Sequence, residues 1–246
     1  MTFHTEIIEA PDGKLRLKDD NDPAIQRAVG YKRIFCGLDI AVSRDFSAFA
    51  VVEVVQRPTW IHPLLQELEE PEMTLVAGDF IKVPSYQELT VRVVNLMKQP
   101  QMARARLAVD GTGVGAAFCD SLKAHPQFER LRVPVTKIQI TGGEAESNQT
   151  THYRVARNKL LTDLAVAIQS GALKFADFPQ RDTLKSEIET LTLSLSASGQ
   201  RKIAGGSTKA GLSHSDLAMA AALANWTASN PAFSGSYGSH PLKGMY

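Results

Sequence analysis

The sequence contains few cysteines, almost no net charge and no long apolar run. Its two cysteines among 246 residues, Cys36 and Cys119, both lie in apolar stretches. Two thiols form neither a disulfide framework nor a zinc-binding pattern, so we expect both to be reduced and buried. No apolar segment approaches the roughly 20 residues of a membrane span, and the first residues lack the basic-then-apolar order of a signal peptide. We therefore expect a soluble, cytoplasmic protein without a membrane partner.

The charge of the whole chain is close to balanced. Its 27 Lys and Arg residues face 26 Asp and Glu residues, which gives a formal net charge of +1. This balance argues against a strongly basic nucleic-acid-binding protein. Any nucleic-acid partner would therefore have to be held by a local basic patch.

The hydrophobic pattern predicts one domain between two polar ends. Residues 1–30 are expected to form an N-terminal arm, residues 31–230 the domain, and residues 231–246, rich in Gly, Ser and Pro, a flexible tail. Apolar or alternating runs predict five strands, at residues 34–40, 47–55, 75–83, 106–110 and 133–140. Helices are predicted at residues 85–98, after the glycine-rich turn at 111–115 through residue 122, and at residues 152–170, 180–189 and 213–227. A β-hairpin is predicted at residues 191–195 and 201–204.

The order of these elements predicts the fold class. Three strands separated by short connections are followed by strand–helix alternation, which is typical of an α/β protein with a mixed sheet flanked by helices. The same order describes the RNase H-like fold, with a central mixed five-stranded sheet. The predicted hairpin is an addition, expected near the active site.

Three aspartates stand at the ends of predicted elements. Asp39 closes the first strand and Asp110 closes the fourth, each after a short apolar run. The carboxyl ends of adjacent parallel strands share one edge of a sheet, where ligand sites of α/β proteins lie. Asp216 begins the last helix, and we expect its side chain to reach the same edge.

Three neighbouring carboxylates repel one another, so we expect divalent cations to bind between Asp39, Asp110 and Asp216. Oxygen ligands favour Mg²⁺ or Mn²⁺, and two such ions about 4 Å apart clamp the attacking and leaving oxygens of a phosphodiester. Taken singly, each aspartate has a simpler explanation, as a turn residue or, for Asp216, as part of a helix cap. Asp45 is either a fourth ligand or a turn residue, and His214 is expected to face solvent.

Three motifs in the same order resemble those of the nuclease domain of phage terminase large subunits. The first is Gly37-Leu38-Asp39-Ile40-Ala41 with the apolar run after Asp45, and the second is Val109-Asp110-Gly111-Thr112-Gly113-Val114-Gly115. The third is Ser213-His214-Ser215-Asp216, followed by an Ala-rich run. Ser215 stands where the family commonly has a further aspartate, which leaves one acid at that end. The resemblance spans roughly residues 33–228.

This resemblance implies a two-metal-ion endonuclease that cuts concatemeric viral DNA during genome packaging. It implies double-stranded DNA as substrate and host cytoplasm as location. It also implies a packaging ATPase domain or subunit, the portal and the small terminase subunit as partners. No G-x-x-x-x-G-K-S/T phosphate loop occurs in the sequence, so ATP-driven translocation is not expected of this chain.

Five basic residues are candidates for binding DNA phosphates, which dominate the affinity of proteins for DNA. Each is also explained as an ordinary solvated surface charge. They are Arg154 and Arg157 at the start of a long predicted helix, Arg201 and Lys202 on the hairpin, and Lys209 before the third motif.

Other functions remain open from the sequence. The glycines after Asp110 match a relaxed dinucleotide-binding pattern, and an actin-like or sugar-kinase-like phosphotransferase would share the sheet topology. The chain could also be a degenerate RNase H-like docking module of a packaging complex. Such a module would not need two acids in the third motif, where this sequence has only Asp216. A junction-resolving nuclease would use the same chemistry on another substrate.

Overall fold

The computed structural model describes residues 7–9, 13–18, 26–41, 46–61, 66–142, 147–149, 152–189, 192–195, 201–204 and 215–234. The strands are β1 (Ile7–Glu9), β2 (Lys14–Lys18), β3 (Gln26–Asp39), β4 (Ser47–Gln56), β5 (Pro58–Ile61), β6 (Gln66–Leu68), β7 (Glu72–Ile81), β8 (Arg106–Asp110), β9 (Val135–Thr141), β10 (Ser147–Gln149), β11 (His152–Ala156), β12 (Leu173–Phe175), β13 (Thr192–Leu195) and β14 (Arg201–Ala204). The helices are α1 (Tyr86–Met97), α2 (Val114–Ala124), α3 (Pro126–Leu131), α4 (Arg157–Gln169), α5 (Arg181–Glu189), α6 (Asp216–Ser229) and α7 (Pro231–Ser234).

One large mixed sheet organises the fold. Its main path runs β10-β11-β9-β8-β3-β4-β7-β12, and β1 and β2 extend it beside the amino-terminal half of β3. The five predicted strands form the contiguous centre of this path, β9-β8-β3-β4-β7, so the predicted α/β, RNase H-like class is confirmed. The expected number of five strands was too low. The additional strands have only three to five residues, which is too few for an alternation of apolar and polar residues to be recognised in the sequence.

The ends of the chain contribute more structure than an arm and a tail would suggest. Strands β1 and β2 lie within residues 1–30, and Leu15 of β2 is buried. Beyond residue 230, α7 places Phe233 against the core, near Tyr153 and Trp226. The domain limits at residues 31 and 230 stay predictions.

The predicted helix at residues 152–170 is wrong in its first five residues. They form β11, which pairs in parallel with β9 and buries Val155 and Ala156 completely. The alternation of Tyr153 and Val155 suits a strand, since β-branched and aromatic residues pack well on a pleated surface. Helix α4 then begins at Arg157 and ends before Gly171, whose φ of 75° suits the predicted glycine stop.

Helices cover both faces of the sheet, and each face has its own apolar core. On one face, α4, α5 and α6 pack against residues such as Phe35, Ala48 and Ala108. On the other face, α1, α2 and α3 pack against residues such as Cys36 and Leu38. Both cysteines are buried and free, as predicted. In the described part of the chain, no helix is long and apolar enough to cross a membrane.

Helix α6 lies unusually close to the sheet. Its residues from Leu217 to Ala228 are all buried, and half of them are alanine, whose small side chain permits close approach. A Cβ atom at Gly37 of β3 would collide with the backbone carbonyl of Ala220. Glycine at position 37 therefore lets α6 rest directly on β3, on the face that carries the functional site.

Candidate acidic site

Asp39 and Asp110 end two neighbouring parallel strands. Strands β3 and β8 pair in parallel, with Leu38 opposite Val109, so the next residue on each strand is one of the two aspartates. Adjacent strands lie about 4.8 Å apart, and residues in the same register of a parallel pair point to the same face. The structure therefore brings the two predicted acids side by side at the carboxyl edge of the sheet.

The turn after Asp110 holds that carboxylate in place. The backbone N–H of Thr112 donates a hydrogen bond of 2.8 Å to Oδ1 of Asp110. Thr112 is itself anchored, because its Oγ1 accepts a 2.9 Å hydrogen bond from the Ile140 N–H of β9. A Cβ atom at Gly115 would collide with the Asp110 carbonyl, so glycine allows the turn to close tightly over the strand end. The glycine motif thus serves the orientation of Asp110.

Asp216 approaches the same edge from the start of α6. It is the first residue of the helix, one turn before Ala220, which rests on Gly37. Asp39 lies two residues beyond Gly37 and so points to the same face of β3. The charge of Asp216 acts on Asp39, consistent with this placement. The residue at the N-cap is Ser215, while Ser213, His214 and the alternative ligand Asp45 lie outside the described residues.

A buried glutamate completes the start of α6. Ser215 has a left-handed backbone with a φ of 73° and makes no side-chain cap hydrogen bond to the helix. Instead, Oε2 of Glu187, a residue of α5 that is only 2% exposed, accepts a 2.8 Å hydrogen bond from the Ala218 N–H. The negative charge of Glu187 also suits the positive end of the helix dipole.

The electrostatics of the acidic pair favour protonation in the absence of a cation. Burial, followed by the charges of Asp110 and Asp216, raises the pKa of Asp39 to about 7. Burial also raises the pKa of Asp110, and hydrogen bonds from Thr112 oppose that rise. A group of acids with raised pKa values at a strand edge is typical of a functional site.

Arg157 is the basic residue that the structure brings to this site. It is the first residue of α4 and follows Ala156, which pairs with Thr141 of β9, so it lies at the carboxyl edge of the sheet. Its positive charge lowers the pKa of both Asp39 and Asp110. The sequence predicted Arg157 as a DNA-binding residue without indicating its proximity to the acids.

The other four predicted DNA-binding residues are described to different degrees. Arg154 is exposed on β11, and its Nε donates a 3.0 Å hydrogen bond to Oε1 of Gln139. Arg201 and Lys202 lie on β14, which is close to α4, and only the backbone of this strand is described. Lys209 lies outside the described residues.

The carboxylates are oxygen donors suited to Mg²⁺ or Mn²⁺. Among the described residues, however, no three His, Cys, Asp or Glu side chains are arranged closely enough to hold a metal ion. The site therefore consists of an aligned pair, Asp39 and Asp110, with Asp216 coupled to it through its charge. Burial first, and then repulsion from the other two acids, raises the pKa of Asp39, and a bound cation would relieve that repulsion.

Three residues of the site were missed by reading the sequence. Thr112 orients Asp110, Glu187 caps α6, and the Ser47 hydroxyl accepts a 3.0 Å hydrogen bond from the Ala41 N–H just beyond Asp39. Ser47 and Thr112 lie inside the first and second motifs, whereas Glu187 carried no local signal. A separate cavity of about 610 Å³, lined by Lys32, Met102 and others, contains none of the three predicted acids.

Comparisons with known proteins support the fold. No protein-family model and no curated protein matches the chain. A crystal structure of the large terminase nuclease from thermophilic phage G20c is 16% identical, with a TM-score of 0.50 over 86% of this chain and 87% of that chain. The same nuclease with bound magnesium gives a TM-score of 0.51 at 16% identity, over 87% and 86% of the two chains. With bound cobalt, the TM-score is 0.50 at the same identity and coverage. The resemblance predicted from the motifs is thus confirmed as a shared fold with large terminase nucleases.

Proposed function

We propose that the chain is a metal-dependent endonuclease that hydrolyses phosphodiester bonds of double-stranded DNA. The observation that carries the proposal is the parallel register that places Asp39 beside Asp110, with Asp216 coupled to them at the same edge. The fold shared with a nuclease crystallised with magnesium and with cobalt supports this assignment. Residues 31–230 would form the nuclease domain.

Asp39, Asp110 and Asp216 would hold two Mg²⁺ or Mn²⁺ ions. Bound divalent ions supply charge stabilisation for the phosphodiester displacement and activate the attacking water. The protein contributes orientation and electrostatics. Thr112 holds one oxygen of Asp110, and α6 holds Asp216 against β3. Arg157 adds a positive charge that opposes protonation of the acids and would attract the phosphate backbone.

We further propose that the biological substrate is concatemeric viral DNA, cut during genome packaging in the host cytoplasm. The ordered motifs and the shared fold support this assignment. A packaging ATPase domain or subunit, the portal and the small terminase subunit are the proposed partners. No observation favours the nucleotide-binding alternatives. In those alternatives a phosphate would bind backbone N–H groups of the turn after Asp110, but the Thr112 N–H of this turn already donates its hydrogen bond to Asp110.

The proposal is tested by incubating the protein with supercoiled plasmid at low salt, in EDTA, Mg²⁺ or Mn²⁺, without ATP. We expect metal-dependent nicking that Asp39→Asn reduces at least 100-fold, since this substitution removes a ligand charge while preserving side-chain shape. The matched control is Asp120→Asn, an exposed acid on α2, which should cleave like the wild type. Intact plasmid under every condition, with folded protein, would contradict free-standing cleavage.

A further inference from the structure

A lysine held by an aromatic ring lies at the same edge of the sheet as the acidic site. The Nζ atom of Lys82, just after β7, lies 4.9 Å from the centroid of the Phe46 ring. Phe46 in turn packs edge-on against Phe80, with centroids 6.0 Å apart and planes at 69°. Both rings are partly buried, whereas Lys82 is exposed. The two rings therefore form a base on which the ammonium group rests.

Strand register fixes the position of this cluster relative to the acids. Asp39 pairs with Ala48 of β4, and Ala48 pairs with Phe80 of β7. Directly opposed residues point to the same face, so Phe80 and Asp39 share a face, about 10 Å apart across two strand spacings. Lys82 lies two residues beyond Phe80, on the same face and closer to the carboxyl edge. The cluster and the acidic pair therefore form one continuous row.

The chemistry of the contact leaves the charge of Lys82 available. Lys32, Lys159 and Lys174 each form an ion pair with a carboxylate. Among the described residues, no ion pair with an acid involves Lys82. An aromatic ring attracts an ammonium group through its quadrupole and restricts its position, yet it adds no opposing formal charge. Such a lysine is suited to binding an anion.

We propose that Lys82, positioned by Phe46, binds a backbone phosphate of the DNA strand whose cleaved phosphate lies at Asp39 and Asp110. The inference rests on the proposed nuclease function for the identity of its ligand. Two strand spacings separate Phe80 from Asp39, so Lys82 would meet a phosphate close to the cleaved one. The contact would orient the duplex across the sheet edge on the β7 side of the acids.

Equilibrium binding of a fluorescent 30-base-pair duplex in EDTA tests the inference separately from cleavage. Loss of one phosphate contact in Lys82→Ala should weaken binding about 15-fold at 50 mM salt and about 4-fold at 200 mM. The reason is that each phosphate contact contributes about −0.9 to the slope of log affinity against log salt concentration. Lys82→Arg should retain the affinity. Phe46→Leu, which keeps an apolar side chain without a ring, should give a loss intermediate between wild type and Lys82→Ala.

The control is Lys98→Ala, an exposed lysine after α1. Helix α1 leads from the carboxyl end of β7 back to the start of β8, so Lys98 lies toward the opposite edge of the sheet. A loss confined to the Lys82 and Phe46 variants supports the inference, even where the wild type binds DNA without cutting it. Equal binding by wild type and Lys82→Ala overturns the inference while leaving cleavage intact. Absence of DNA binding by the folded wild type overturns both the inference and the proposed function.

Discussion

Asp39 combines a half-buried position at the sheet edge with two neighbouring negative charges. Its carboxylate accepts a hydrogen bond from the Ile40 N–H and feels the positive charge of Arg157, yet burial and the other acids dominate and raise its pKa to about 7. A site tuned only for stability of the metal-free fold would avoid this arrangement. The proposed function explains this cost, because a cation bound at the site would remove the repulsion.

The raised pKa of Asp39 predicts that the metal-free protein loses stability as pH rises. Between about pH 4 and pH 7 the folded state holds a proton that the unfolded state has released, so the free energy of unfolding falls with pH. Asp39→Asn should abolish this component and be more stable at pH 8 by up to about 4 kcal/mol, at 1.36 kcal/mol per pKa unit. Urea unfolding in EDTA at pH 5 and pH 8 measures the effect.

The control for this prediction is Asp79→Asn, an exposed acid on the other face of β7, which should follow the wild-type pH dependence. Mg²⁺ at pH 8 should raise the thermal midpoint of the wild type and not that of Asp39→Asn, because a ligand stabilises only the state that binds it. Parallel pH profiles for the wild type and Asp39→Asn would contradict the raised pKa.

Helix α6 carries Asp216 to the site, and its first turn depends on another helix. The local sequence supplies no side-chain cap, and Glu187 of α5 accepts the Ala218 N–H hydrogen bond from a buried position. An acceptor lost at this point leaves a buried N–H without its partner. The Glu187 carboxylate therefore links the position of Asp216 to α5.

Glu187→Leu should destabilise the protein by about 1–3 kcal/mol, because it removes the acceptor of a buried hydrogen bond at similar side-chain volume. It should also lower kcat for plasmid nicking more than it raises KM for DNA, since Asp216 loses its support two residues away. Glu187→Gln keeps an acceptor oxygen and should show a smaller change in both. Urea unfolding and steady-state nicking measure the two effects. Equal stability of the Leu and Gln variants would exclude the capping role.

The predictability of each element follows from the range of the interactions that define it. The five central strands, the Ser85 cap of α1 and the hairpin of β13 and β14 were predicted because apolar period, caps and turns are local patterns. Strand β11 was hidden inside a helical pattern, and its parallel partner β9 determined the outcome. The cap from Glu187 acts over 31 residues of sequence, so no local signal announces it. The alignment of Asp39 with Asp110 likewise depends on a register between distant strands.

The whole molecule has little net positive charge with which to attract DNA. The formal net charge is +1, and several basic side chains are paired with acids, so the proposed DNA binding would depend on a local group of basic residues. Each phosphate contact contributes about −0.9 to the slope of log affinity against log salt. The slope therefore counts the cations that the protein uses. The proposed contacts are Lys82, Arg154, Arg157, Arg201, Lys202 and Lys209.

Six contacts predict a slope of about −5.4, which is an affinity loss of about 2,000-fold between 50 and 200 mM salt. Replacing Arg201, Lys202 and Lys209 together with alanine should halve the slope to about −2.7, a loss of about 40-fold over the same range. Fluorescence anisotropy with the 30-base-pair duplex in EDTA measures both slopes, with Lys98→Ala as the control that leaves the slope unchanged. An unchanged slope in the triple variant would show that these three residues do not contact phosphates, and would leave Lys82, Arg154 and Arg157 as the proposed contacts.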